Sequence, residues 1–181
     1  PSVPSSSVLL SAGVRVSNYL ELGRGEQVLG LVSLDSDRPI ALGTEQGVVK
    51  RVQPGGWPAK PDFEVISLKD RDRVVGVAQP GDDAELVFIT AGAQLLHFPA
   101  AQVRPQGVAA GGMAGINLGA KDAVVFFGAV AAGEDAVVAT VSTPEGTLAG
   151  TDPGRAKVSA FAEFPGKGRA TGGVRAHAFL K

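Results

Sequence analysis

No cysteine occurs among the 181 residues, which excludes disulfides and thiolate metal sites and is compatible with a reducing compartment. No apolar run approaches the ~18 residues that a membrane-crossing helix needs, so none is predicted. Histidine is scarce, at 2 residues, and there is one tyrosine and one tryptophan. Neither sign of charge dominates: 17 Lys and Arg face 18 Asp and Glu, a formal net charge of −1. Any role with nucleic acid must therefore rest on a local patch rather than on bulk charge. The opening Pro1-Ser-Val-Pro-Ser-Ser-Ser7 has no basic region and no start Met, and reads as a linker or a cut end rather than a signal peptide. Leu180-Lys181 falls where another strand would begin, so the chain reads as a fragment of something longer.

What is abundant is equally directive. Hydrophobic residues make up 44%, enough for a core, while 25 Gly and 12 Pro punctuate the chain. That profile predicts many short strands joined by tight turns rather than long helices.

The stretch Leu68-Lys-Asp-Arg-Asp-Arg-Val-Val-Gly-Val-Ala, running on to Thr90, occurs three times with changes. Its other copies run from Leu22 to Thr44 and from Leu118 to Thr140, at spacings of 46 and 50 residues. A period of this size points to stacked repeats, each too poor in apolar surface to fold alone. The boundaries read as a linker and closing strand over 1–21, then repeats over 22–67, 68–117 and 118–181.

Within the first repeat, strands are predicted at Gln27–Leu34, Ile40–Thr44, Val48–Val52 and Phe63–Leu68, after short β-like pieces at Val8–Leu10, Val14–Val16 and Tyr19–Leu22. Glu45-Gln-Gly47 is a hairpin turn with Gly where positive φ is expected. The imperfect alternation of Val48–Val52 suggests a sheet edge. The second repeat offers Arg73–Val77, Leu86–Thr90, Gln94–Phe98 and Met113–Leu118, with a turn at Ala91-Gly-Ala93. The third offers Ala123–Phe127, Ala136–Val141, a turn at Ser142–Gly146, a strand at Gly146–Leu148 and a closing piece at Gly173–Phe179. Four short strands per repeat is the arithmetic of a propeller-like blade. The fold expected is all-β, about three blades plus a leading part-blade, with Val74, Val75, Leu86, Phe88, Leu95, Val124, Val125, Val137 and Val138 buried.

Long Gly- and Pro-rich loops follow the hairpins. Lys50, Arg51 and Lys60 lie in or after the third strand of the first repeat. Arg104 lies in the loop of the second, and Arg155, Lys157, Lys167 and Arg169 in that of the third; Arg175 ends the same phrase. Loops at one place in stacked repeats emerge on one side, so these cations can line up beside glycine-rich backbone, an arrangement suited to a phosphate chain. Other chemistry finds less support. Gly166-Lys-Gly-Arg169 lacks the leading Gly of a phosphate-binding P-loop and has Gly168 where Ser or Thr should follow. In Asp70-Arg-Asp72 the central cation opposes metal binding. His97 and His177 occupy non-equivalent places and read as structural. No metal or cofactor is expected.

The phrases Arg104-Pro-Gln-Gly-Val-Ala-Ala-Gly-Gly-Met-Ala-Gly-Ile-Asn-Leu118 and Gly166-Lys-Gly-Arg-Ala-Thr-Gly-Gly-Val-Arg175 carry a resemblance. With Leu42-Gly-Thr-Glu-Gln-Gly-Val-Val-Lys-Arg51 and Phe88-Ile-Thr-Ala-Gly-Ala-Gln-Leu-Leu-His97, the chain resembles the C-terminal domain of the A subunit of bacterial DNA gyrase and topoisomerase IV. The resemblance covers nearly all of residues 20–181. It implies a β-pinwheel whose blades exchange strands and whose rim binds and bends duplex DNA. It also implies a non-catalytic domain of a cytoplasmic type IIA topoisomerase, whose A subunits form a homodimer and work with an ATP-binding B subunit. The cleaving tyrosine of that family lies in another domain and follows an Arg, whereas Asn18 precedes Tyr19 here; packing is the expected role of Tyr19. The Gln-Arg-Arg-Gly-Gly-Lys-Gly box of gyrase is absent, and Gly166-Lys-Gly-Arg169 is a partial echo of it. The competing reading, favoured by the low net charge, is a propeller-like module whose loops bind a protein.

Overall fold

The computed structural model describes residues 15–143 and 154–179. The expected pieces at Val8–Leu10, Val14 and Gly146–Leu148, and most of the turn at Ser142–Gly146, lie outside them. Every regular element described is a strand or a three-residue 3-10 turn.

The first hairpin is β1 (Ile40–Thr44) and β2 (Val48–Val52), antiparallel with Leu42 opposite Lys50. Its turn depends on Gly47, at φ +82°, where an added Cβ would stand 2.7 Å from the Ile116 carbonyl oxygen. The Thr44 hydroxyl accepts the Val48 N–H at 3.1 Å and closes the turn. Then come β3 (Val74–Ala78), β4 (Glu85–Thr90) and β5 (Gln94–Pro99). The second hairpin, β4–β5, repeats the design: Ala93 takes the left-handed conformation at φ +57°, and the Thr90 hydroxyl accepts the Gln94 N–H. The remaining strands are β6 (Pro105–Gln106), β7 (Met113–Ala114), β8 (Val124–Val130), β9 (Val137–Ser142), β10 (Arg155–Ala160) and β11 (Val174–Arg175).

Sheet membership cuts across the sequence repeats. The β1–β2 hairpin is flanked by β3 on one side and by β6 and β7 on the other, all from the second repeat. The β4–β5 hairpin is flanked in the same way by β8 and β11 from the third. The third described sheet is the β9–β10 pair. Blades therefore exchange strands, as the resemblance implied. Where each lead strand joins its neighbour the register slips, leaving Val75 and Val125 as the extra residues of two equivalent β-bulges.

The same repeat shows in the clasps between blades. Asp72 accepts N–H bonds from Gln46 and Arg73, at 3.0 and 2.9 Å. Asp122, 50 residues on, accepts from Gly92 and Ala123 at 2.8 and 2.9 Å and from the Thr90 hydroxyl at 2.6 Å. Each aspartate thus ties its own lead strand to the hairpin turn of the preceding repeat. The acidic residue once open to a metal reading, Asp72, is occupied in this way.

Packing follows the two-residue period of strands. In β4, Leu86 and Phe88 face the first blade and join Ala41, Val49, Phe98 and Phe127 in one cluster, while Val87 faces the third blade with Leu95 and Val138. The β4–β5 hairpin is thus covered on both faces. Phe127 of β8 fills a notch floored by Gly43 and Gly76; a methyl at Gly43 would lie inside the ring, and one at Gly76 on the Phe127 carbonyl. A third cluster joins Ile40, Leu42, Val52 and Ile66.

Several expectations are corrected. Gln27–Leu34 and Phe63–Leu68 are not strands, and Val16–Asn18 is a 3-10 turn. The first two run beside the first sheet without a ladder, held instead by single bonds such as Ser33 N–H to the Gln79 side chain and Ser67 N–H to the Ala110 carbonyl. β2 is not an edge strand, since it pairs on both sides. Leu86, Phe88, Leu95, Val124 and Val138 are buried as expected, and Val74 and Val75 are partly so. Val125 and Val137 are exposed, at 59% and 67%. The bulge turns Val125 outward, and β9 pairs among the described residues with β10 alone.

Candidate functional site

Lys50 and Arg51 are removed from solvent, which corrects their place among the surface cations. On a central strand, neighbouring residues point to opposite covered faces. Lys50 is fully buried, and its Nζ donates to the carbonyls of Val65, Val108 and Ala110 at 2.8, 2.9 and 2.6 Å. Three protons meet three acceptors, while burial pushes the ammonium below the ordinary lysine pKa. Arg51, 1% exposed, donates to the carbonyls of Ala100 and Val103 and pairs with Asp82. No phosphate can reach either group.

The other candidates remain at the surface. Lys60, Arg104, Arg155, Lys157, Lys167 and Arg175 are exposed and Arg169 is half-buried. Arg155 and Lys157 stand on β10 rather than in a loop, because the third hairpin connection is longer than expected and Arg155 pairs with Ser142.

The long loops lie edge to edge. Gln53 N–H donates to the Gln106 carbonyl, and Ser67 N–H to that of Ala110, so the loop carrying Lys60 abuts the loop that follows Arg104. The second loop abuts the third in turn. Arg169 N–H donates to the Gln102 side chain at 3.2 Å, its guanidinium donates to the Ala114 carbonyl, and Ala170 N–H donates to Gly115 at 2.7 Å. Ala170 itself sits at φ +63°, the sharp bend that returns the chain toward β11. The abutting loops carry Lys60, Arg104, Lys167 and Arg169. Lys157 and Arg175 form a second group: the Lys157 ammonium donates to the Ala176 carbonyl, one residue from Arg175.

Two further exposed cations were not among the binding candidates. Arg71 and Lys121 stand at equivalent places in the lead turns, both in the left-handed region at φ +57° and +64°, with Gly25 at +86° in the first copy. The signal was available: aligning the three copies places them in one column. Arg73, next to the first, is engaged by Glu45 at 2.8 Å, whose hydrogen bond and charge raise its pKa above the ordinary arginine value. Among the described residues no group of three or more His, Asp or Glu could hold a metal ion.

Strand-exchanged sheets, equivalent bulges and side-by-side loops define a bladed all-β repeat domain of the propeller type. A family model described as the DNA gyrase C-terminal domain, beta-propeller, matches residues 84–131 and 148–176. The DNA gyrase A subunit of Dehalogenimonas lykanthroporepellens is 24% identical over 95% of this chain, and that of Escherichia coli K12 is 29% identical over 90%. The chain spans 20% and 18% of those two proteins. Among solved structures, the C-terminal domain of DNA topoisomerase IV superposes with a TM-score of 0.75 at 24% identity, over 90% of this chain and 49% of that one. The DNA gyrase A C-terminal domain gives 0.69 at 20% identity, over 89% of this chain and 52% of that one. The chain is thus similar to the C-terminal domains of gyrase A and topoisomerase IV subunits and shares their propeller-like fold.

Proposed function

We propose that this chain is the DNA-binding and DNA-bending C-terminal domain of a type IIA topoisomerase A subunit. In this reading it carries out no chemistry. It presents duplex DNA to a breakage centre elsewhere in the subunit, in a cytoplasmic enzyme built from an A-subunit homodimer and an ATP-binding B subunit. The observation that carries the reading is the run of abutting loops with Lys60, Arg104, Lys167 and Arg169 on it. Such a run offers charge and backbone N–H groups to a phosphate chain but no helix to read the major groove, so binding is weakly sequence-specific.

The test is a titration of labelled duplex at several salt concentrations. Replacing Arg104, Lys167 and Arg169 by Ala should weaken binding to all sequences alike and lower the salt slope by about 1 per lost phosphate contact. An unchanged affinity and slope would reject the loops as the binding surface. A second reading, a protein-interaction module, draws on Val125, Phe126, Val137, Val141 and Val158, apolar and exposed in the third repeat. It predicts no duplex binding at any salt concentration.

A further inference from the structure

Arg71 and Lys121 share one column of the repeat with Gly25 of the first copy, at spacings of 46 and 50 residues. All three are left-handed: Arg71 at φ +57°, Lys121 at +64° and Gly25 at +86°. Glycine adopts this conformation freely and Asn or Asp tolerates it, whereas a long side chain is held there against its preference. Ala93 makes a similar exchange for Gly47 in the hairpin turns, but its methyl is buried. The Arg71 side chain is 91% exposed, and it pairs at 3.5 Å with an Asp70 carboxylate equally open to water, where an ion pair contributes little. Lys121 is exposed and has no ion-pair partner among the described residues. Packing therefore supplies no reason for a cation at this column, although the bend strains it.

Hydrogen bonds tie both bends to the candidate loops. Gln46, in the first hairpin turn, donates its backbone N–H to Asp72 and its side-chain amide to the Asp70 carbonyl, each at 3.0 Å. The Gly47 carbonyl accepts from Gly115 and Ile116 at 2.8 and 3.1 Å, and the Gly115 carbonyl accepts from Ala170, one residue past Arg169. At the second hairpin turn, Gly92 N–H donates to Asp122, and the Ala93 carbonyl accepts at 2.8 Å from Ala176, one residue past Arg175. Each bend therefore stands at the hairpin-turn end of a blade, tied to a segment that carries a candidate cation.

The neighbouring charges leave the two cations foremost. Asp72 and Asp122 are engaged by backbone N–H groups of the clasps, and Arg73 by Glu45. A strained residue that the surrounding structure does not need points to a role outside the fold. We propose that Arg71 and Lys121 are phosphate contacts, extending the duplex-binding surface from the long loops onto the hairpin-turn ends of the first two blades. The inference rests on the DNA reading above and adds to it a second row of contacts, one per repeat.

The test compares the parent with Arg71→Gly, Lys121→Gly and the double variant, each of which copies the first repeat, in duplex titrations at several salt concentrations. Each replacement should lower the salt slope by about 1 and weaken binding about eightfold at about 0.1 M salt, the worth of one phosphate contact. The melting temperature should hold or rise, because glycine relieves the bend. Arg71→Lys and Lys121→Arg keep both charge and bend and should bind as the parent does. A double glycine variant with the parent's slope, beside a triple loop variant that binds weakly, overturns the lead-turn contacts and leaves the DNA reading standing. A fall in affinity without a fall in slope assigns the bends to shape rather than charge and also overturns the proposal. A parent that binds no duplex at any salt concentration rejects the DNA reading and this inference with it.

Discussion

Lys50 shows how one side chain can bind three segments that the sequence leaves far apart. Its ammonium joins β2 to the first long loop through Val65 and to the second through Val108 and Ala110. Methionine would fill the same channel but leave three buried carbonyls without donors. At about 1 kcal/mol or more for each, Lys50→Met should cost about 3 kcal/mol. For a chain of this size the melting temperature should then fall by about 6–12 °C, as differential scanning calorimetry would record. The same residue marks where sequence reading stopped. A Lys-Arg pair in a short strand looks like a solvated edge, and the carbonyls that bury it lie 15 to 60 residues away. Gly47, by contrast, was readable, because a turn's demand for positive φ is local. The cations Lys60, Arg104, Lys167 and Arg169 were readable as types, but the abutment of their loops depends on bonds that no spacing encodes.

At the scale of elements, the bulge-and-notch junction between lead strands sets how close two blades can come. Gly76 floors the notch beneath the Phe127 carbonyl, where neither partner is the movable end of a side chain. Gly76→Ala should therefore cost about 3 kcal/mol through overpacking and lower the urea midpoint with little change in slope. Strands β1 to β5 and β9 fall within one residue of their expected bounds, because hydrophobic runs between turn residues define them locally. β6, β7 and β11, two residues each, exist only because a hairpin edge is there to receive them. β10 was displaced by the length of its connection. Gln27–Leu34 has the composition of a strand and lacks a ladder, with Leu31 exposed at 96%. Composition registers what a segment could pair as, whereas pairing requires an edge.

For the molecule as a whole, no sheet of the first two blades closes with residues of its own repeat. Unfolding one blade removes strands from the next, so the transition should be cooperative. Trp57, stacked on Phe63 at 6.0 Å and donating to the Leu34 carbonyl, reports on the loop layer, and circular dichroism reports on the strands. In urea the two signals should give coincident midpoints; separation by more than the fitting error would mean that the loops melt on their own. The third blade borders a cavity of about 520 Å³ lined by Ile89, Phe126, Val137, Phe161 and His177 among others.

The exchange of strands also sets a timetable for synthesis. The β1–β2 hairpin leaves the ribosome well before its last partner, since β7 begins at Met113, 61 residues after Val52. At roughly 5–20 residues per second, the newborn hairpin waits about 3–12 s with its outer edge unpaired. An unpaired edge is a template for other chains, and this one carries Lys50 and Arg51, two charges that resist stacking until the native carbonyls arrive to receive them. The cations that secure the finished blade can thus guard the unfinished one.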